Sequence, residues 1–161
     1  MRSENYQFSY TVYDSVDELE PQDAWLLNEA RTVSQYAYAP YSNFLVGAVA
    51  KLANGEIVAG SNQENASYPA GICAERVLLS AAASMYPNIP IESMAISYQQ
   101  ANGPSDHPVA PCGICRQSLQ EFESRVNQKV RLILAGMEGK IIVIPEASSL
   151  LPLAFTQDEL L

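Results

Sequence analysis

Three cysteines constrain this chain more than any other feature, because each stands at the start of a run with helical character. Cys73 sits in Pro69-Ala70-Gly71-Ile72-Cys73-Ala74-Glu75-Arg76, and an Ala-rich apolar stretch follows it to Met85, just before Pro87. Cys112 and Cys115 sit in Pro111-Cys112-Gly113-Ile114-Cys115-Arg116-Gln117, ahead of Leu119, Phe122 and Val126 at helical spacing. A thiolate at a helix N-terminus is stabilised by the positive end of the peptide dipoles, which lowers its pKa and readies it for a metal. Two neighbouring helices in one layer can bring their N-termini to one edge of a sheet. Three thiolates meeting there leave a tetrahedral Zn²⁺ one ligand short. Structural zinc sites close with four protein ligands, whereas catalytic ones keep the fourth place for water. His107, five residues before Cys112 in a polar loop, is the only candidate for that fourth place; otherwise it is a solvated loop histidine.

The rest of the chain supplies a scaffold for two such helices. Pro21 suits a first helical turn, and Leu26, Ala30, Val33 and Ala37 recur at helical spacing up to Pro40. Phe44–Leu52 and Ile57–Ser61 read as strands, and Asn54-Gly55 between them is a strong hairpin signal. A helix is expected over 72–85, a buried strand at Met94–Tyr98, a polar loop at Gln99–Pro111 and a helix over Cys112–Val126. Val130–Ala135 and Lys140–Ile144 are two further strands, and a short helix and an extended tail follow Glu146. Tyr6, Phe8, Tyr10 and Val12 alternate, as an edge strand or extended arm would, within what is otherwise an acidic lead-in. The order predicts an α/β fold: a three-layer α/β/α domain with a mixed five-stranded sheet over residues 20–161, preceded by an acidic extension at 1–19.

Charge narrows the partners. The chain of 161 residues carries a formal −9, of which residues 1–30 hold −6. Phosphate binding leans on a basic face, so no nucleic-acid polymer is expected as a ligand. Met1 to Tyr10 is polar and lacks the apolar region of a signal peptide. The longest charge-free stretches, Thr32–Ala50 and Val77–Ile91, are interrupted or too short to span a bilayer. No membrane partner and a cytoplasmic location are therefore expected. In a reducing compartment, three cysteines point to metal or catalysis rather than to disulfides.

Glu75 follows Cys73 by two positions, so on a helix the two side chains diverge by roughly 200°. It cannot share the ion easily, but it can reach the far side of a water held there, where a proton shuttle is needed. Read alone it is a favourable first-turn glutamate; the three cysteines around it tip the reading to catalysis. Arg76, and less so Arg116, can donate to the sulfurs and restore Lewis acidity to a thiolate-rich ion, or they are ordinary surface cations.

Cys-x-Glu, with Pro-Cys-x-x-Cys reaching its first cysteine 37 residues after the Glu, matches a signature already known for zinc-dependent base deaminases. Over about residues 25–161 the chain resembles the cytidine/deoxycytidylate deaminase family, in its small, homotetrameric, three-cysteine zinc type. Tyr41-Ser42-Asn43-Phe44-Leu45-Val46-Gly47-Ala48 is similar to that family's first-strand motif, and Asn62-Gln63-Glu64-Asn65 to its Asn-x-Glu-Asn segment. The resemblance implies one Zn²⁺ per subunit on Cys73, Cys112 and Cys115, with Glu75 as acid/base. It implies that Phe44 stacks on the pyrimidine and that Asn62 and Glu64 bind the ribose hydroxyl. It further implies that the Ala74 amide and the Pro111 carbonyl read the base, and that Phe155 of Leu151-Pro152-Leu153-Ala154-Phe155 enters a neighbouring subunit's site. Without the cysteines, Phe44 reads as core and Asn62 with Glu64 as a strand-end turn. The implied activity is deamination of cytidine and 2′-deoxycytidine. Its rivals are a deaminase of another aminated nucleoside or heterocycle, a non-catalytic zinc-stabilised interaction domain, and a thiol–disulfide protein that leaves Cys73 idle. The 1–19 extension and the long 99–110 loop depart from the compact family pattern.

Overall fold

The structure is a computed structural model that describes residues 1–160; Leu161, the last residue of the expected domain, lies outside the described residues. Thr11–Tyr13 forms a short strand, β1. Pro21 opens helix α1 (Pro21–Val33), which ends in a 3-10 turn at Ser34–Tyr36. Strands β2 (Phe44–Leu52) and β3 (Ile57–Ser61) pair antiparallel around the expected turn, where Gly55 takes φ +86°. There follow α2 (Ala74–Met85), β4 (Ile91–Gln100), α3 (Gly113–Val126), β5 (Arg131–Ala135) and β6 (Ile141–Ile144).

The sheet runs β1-β6-β5-β4-β2-β3, with β4 and β5 parallel and every other pair antiparallel. It thus has six strands rather than the expected five, because Thr11–Tyr13 pairs with Ile141–Val143 along the outer side of β6. Strand β4 also outruns its apolar centre, Met94–Tyr98, since its polar flanks pair along the whole of β2 from Phe44↔Gln100 to Leu52↔Ile91.

Both sheet faces are covered, and alternation along each central strand serves both. Leu26, Leu27 and Ala30 of α1 pack on Val49, Ala95 and Ile133. On the other face, Leu78 of α2 with Leu119 and Phe122 of α3 packs on Ala48, Ala50, Met94, Leu132 and Leu134. The result is the expected three-layer α/β/α domain with a mixed sheet. No helix among the described residues is long and apolar enough to cross a membrane.

Strand direction decides where the cysteines go. β3 and β4 both lie antiparallel to β2, so they run the same way, and β5 is parallel to β4. Helices α2 (between β3 and β4) and α3 (between β4 and β5) therefore both start at the C-terminal ends of these strands. Close contact fixes the first of them. A Cβ at Gly60 of β3 would stand 2.6 Å from both the Ala74 carbonyl and the Leu78 amide, so the absence of a side chain lets the α2 backbone lie directly on the strand.

Candidate metal centre and active-site cleft

Cys73 is the residue capping α2 and Cys112 the residue capping α3, both with extended backbone, while Cys115 lies within the first turn of α3. The Cys73 and Cys112 sulfurs are 3.8 Å apart and those of Cys112 and Cys115 3.5 Å apart, with all three Sγ atoms within 4.8 Å of one another. A tetrahedral zinc with Zn–S bonds of about 2.3 Å demands sulfur–sulfur edges of about 3.8 Å. The donors therefore fit that ion in type, number and spacing. Burial runs from Cys115, which is fully enclosed, to Cys112, which faces solvent.

The electrostatics favour a cation. The Cys73 thiol is drawn down to about 6, above all by the hydrogen bond from Cys115, and also by Cys112 and the positive Arg76, against burial and the Glu75 carboxylate. Cys115 is pushed up because it keeps the proton that it shares with Cys73, and because it is buried. A divalent ion among the sulfurs takes over the role of that shared proton. Arg116 has a different job from the one its position invites: it donates to the carbonyls of Pro111 (2.7 Å) and Leu150 (3.1 Å), tying the metal loop to the C-terminal tail.

A cleft of about 410 Å³ opens beside the sulfurs, lined by Cys73, Cys112, Glu75, Phe44, Asn62 and Glu64 among others. Glu75 is 5% exposed, and burial raises its pKa against the smaller pull of its own backbone and of Cys115. Asn62 is clamped to β2: its Oδ1 accepts from the Val46 amide (2.7 Å) and its Nδ2 donates to the Phe44 carbonyl (2.9 Å). Glu64 Oε2 accepts from the amides of Tyr41 (2.9 Å) and Ser42 (3.3 Å). The Ser42 hydroxyl first, and then the Tyr41 amide, hold that carboxyl below its ordinary range. Ala74 is the first residue of α2, where the backbone N–H has no intrahelical partner. Pro111 is buried beside Cys112.

Two further residues of interest lie outside this cleft. His107 is outside the cysteine cluster, with its Nδ1 3.2 Å from the Tyr98 hydroxyl and 3.0 Å from Asp106 Oδ1. Phe155 is 58% exposed and outside its own chain's cleft, and its carbonyl accepts from Gln117 Nε2 at 2.8 Å. Of the cleft residues that escaped the sequence reading, Tyr98 makes the most specific contact. Tyr98 stacks on Phe44 with ring centroids 4.8 Å apart and planes 13° from parallel. Its signal exists only in the register, which sets Tyr98 opposite Val46 and so on the same face as Phe44 two residues away.

Comparison with known proteins agrees with this geometry. The family model for the cytidine and deoxycytidylate deaminase zinc-binding region matches residues 20–130. The cytidine deaminase of Halalkalibacterium halodurans is 36% identical over 135 residues, which cover 84% of this chain and 95% of that protein. That of Sporosarcina psychrophila is 34% identical over 84% of this chain and 92% of its own length. The crystal structure of cytidine deaminase from Burkholderia pseudomallei superposes with a TM-score of 0.70 at 36% identity, covering 81% of this chain and 97% of that one. With a metal triad, a carboxyl beside it and matches of this extent, the chain belongs to the cytidine and deoxycytidylate deaminase zinc-binding family.

Proposed function

We propose that this protein hydrolyses cytidine and 2′-deoxycytidine to uridine and 2′-deoxyuridine with release of ammonia. The observation that carries the reading is a cluster of three thiols at tetrahedral spacing, two of which, Cys73 and Cys112, line one cleft together with the buried carboxyl of Glu75. Cys73, Cys112 and Cys115 would hold one Zn²⁺ per subunit, which would supply Lewis acidity and make a water more acidic. Glu75 moves the protons: it takes one from the water that attacks C4 and delivers it to ring nitrogen N3, then passes the remaining proton of the added hydroxyl to the C4 amine, which leaves as ammonia as the C4–N bond breaks and the C4 carbonyl forms. Burial suits it to the task, since a raised pKa lets a carboxylate accept a proton nearer neutral pH.

The base is read by the Ala74 amide and the Pro111 carbonyl, and Phe44 offers it a ring face. Asn62 and Glu64 hold the sugar. Both spend part of their capacity on backbone partners, which locks their rotamers, and each keeps hydrogen-bonding capacity for a ribose hydroxyl. Arg76, whose charge acts on Cys73, tunes the thiolates.

A deaminase of another aminated heterocycle is the runner-up, and the sugar-directed pair favours a nucleoside over a free base. Among the described residues no Lys, Arg or His lines the cleft, whereas Glu64 and Glu75 do, which disfavours a nucleotide phosphate. A zinc-stabilised interaction domain has no use for a buried carboxyl in an open cleft. We further read residues 20–161 as the catalytic unit in the cytoplasm, with 1–19 as an extension bracing the sheet through β1. Assembly is as a homotetramer with Phe155 completing a neighbour's site, a reading supported by the exposed Leu153 and Phe155. The test is zinc analysis together with an ultraviolet assay on cytidine and on cytosine. We expect one zinc per chain and loss of cytidine absorbance, with cytosine much slower. A zinc-loaded chain inert to cytidine refutes the reading.

A further inference from the structure

The loop between β4 and α3 is a built structure rather than a loose connection. Ser105 is buried within it: its hydroxyl accepts from the Gln100 amide at 2.9 Å, and its carbonyl accepts from the Glu138 amide at 3.2 Å. Gly136 and Gly139 make room for it, since a Cβ at either would overlap the carbonyl of Ser105 or Asp106. Residues 105–106 are thereby seated on the β5–β6 turn. Beyond them, Val109 and Ala110 form a wall of the cleft before the chain reaches Cys112.

From this seat the loop reaches the aromatic floor of the cleft. Asp106 can only accept when ionised, so His107 Nδ1 carries the proton and offers it to both Asp106 Oδ1 (3.0 Å) and the Tyr98 oxygen (3.2 Å). Tyr98 is 3% exposed and stands behind Phe44 in a parallel stack. Stacked rings prefer an offset arrangement but are held in it by only about 0.5–1.5 kcal/mol, so a hydrogen bond at one end adds a directional restraint.

We propose that Tyr98, held by His107 and Asp106, is a positioning residue that fixes the ring plane of Phe44 and so sets how tightly the cleft holds a pyrimidine nucleoside. This inference rests on the functional reading above, in which Phe44 stacks on the base. The latch acts on ligand binding and leaves the metal and the proton shuttle untouched. Loss of the Tyr98 ring removes the platform. Loss of the hydroxyl, or of His107, frees the ring to slide.

The test is steady-state kinetics on cytidine with zinc-loaded wild type, Tyr98→Leu, Tyr98→Phe, His107→Ala and the Tyr98→Phe/His107→Ala double variant, each checked for zinc stoichiometry and thermal melting. Tyr98→Leu should raise KM about tenfold with kcat within about twofold, the pattern of lost uniform binding. Tyr98→Phe should restore most of that affinity, leaving KM raised about threefold. His107→Ala should match Tyr98→Phe, and the double variant should be no worse than either, because both remove the same hydrogen bond. Unchanged KM in the single variants, kcat falling as far as KM rises, or additive losses in the double variant would each overturn the latch. If Tyr98→Leu does not fold, the other variants decide alone. Wild type inert to cytidine refutes the functional reading itself, and with it the role given to the latch.

Discussion

Gly60→Ala tests whether the contact between β3 and α2 sets the metal geometry. The new Cβ would stand 2.6 Å from both the Ala74 carbonyl and the Leu78 amide, whereas ordinary contact begins at 3.4 Å. Both neighbours are backbone, so no rotamer change relieves the clash, and α2 must lift by about 0.8 Å if the contact is to become ordinary (3.4 Å less 2.6 Å). Cys73 caps that helix, while Cys112 and Cys115 ride on α3. Metal–ligand distances tolerate only about 0.2 Å, so a shift several times larger is felt at the zinc. We expect a stability loss of about 1–3 kcal/mol from overpacking. We also expect about 10–100-fold weaker zinc affinity, the scale seen when support around a metal site is disturbed. Urea unfolding gives the first quantity and competition with a chromogenic chelator the second. Gly55→Ala is the control. That residue sits at φ +86° with nothing within 4 Å, so its substitution costs about 1 kcal/mol of backbone strain and leaves zinc affinity unchanged. Wild-type zinc affinity in Gly60→Ala would refute the reasoning, and so would equal zinc losses in the two variants.

Three further outcomes follow from the same geometry. Glu75→Gln should retain one zinc per chain while kcat falls at least 10²-fold, the scale of a lost general acid–base, as read by metal analysis and the absorbance assay. Glu123 is 3% exposed and accepts from the amides of Val130 (2.9 Å) and Ala147 (3.0 Å), tying α3 to β5 and to the 3-10 turn after β6. Glu123→Ala strands the Val130 N–H at about 1–3 kcal/mol, while the Ala147 N–H keeps the Val130 carbonyl at 2.9 Å; a urea midpoint within error of wild type would contradict this. Deoxycytidylate should be turned over with kcat/KM at least about 100-fold below deoxycytidine, since its phosphate meets carboxylates and no basic side chain among the described residues that line the cleft. Equal rates on the two substrates would show that the cleft lining does not select against charge.

Residue order alone determined the chemistry of the centre. Cys73-x-Glu75 and Cys112-x-x-Cys115 at helix starts define three soft ligands and a carboxyl offset from them, because ligand type, helix dipole and angular separation are local properties. The hairpin at Asn54-Gly55 and the helix ends before Pro40 and Pro87 were legible for the same reason, since turn and helix-stop preferences act within a few residues. Tertiary structure decided everything that joins distant segments. Which strands run parallel, and hence that both cysteine-bearing helices start at one end of the sheet, depends on pairing choices with no local trace. The sixth strand is one such choice, since three residues of a polar arm become a strand only when β6 offers its open side. The Phe44–Tyr98 stack depends on strand register, and the Tyr98–His107 contact on where Gly136 and Gly139 let the loop settle. A stack between residues 44 and 98 has no periodicity to announce it; it forms because burying two rings together is favourable once the backbone ladder has brought them to the same face.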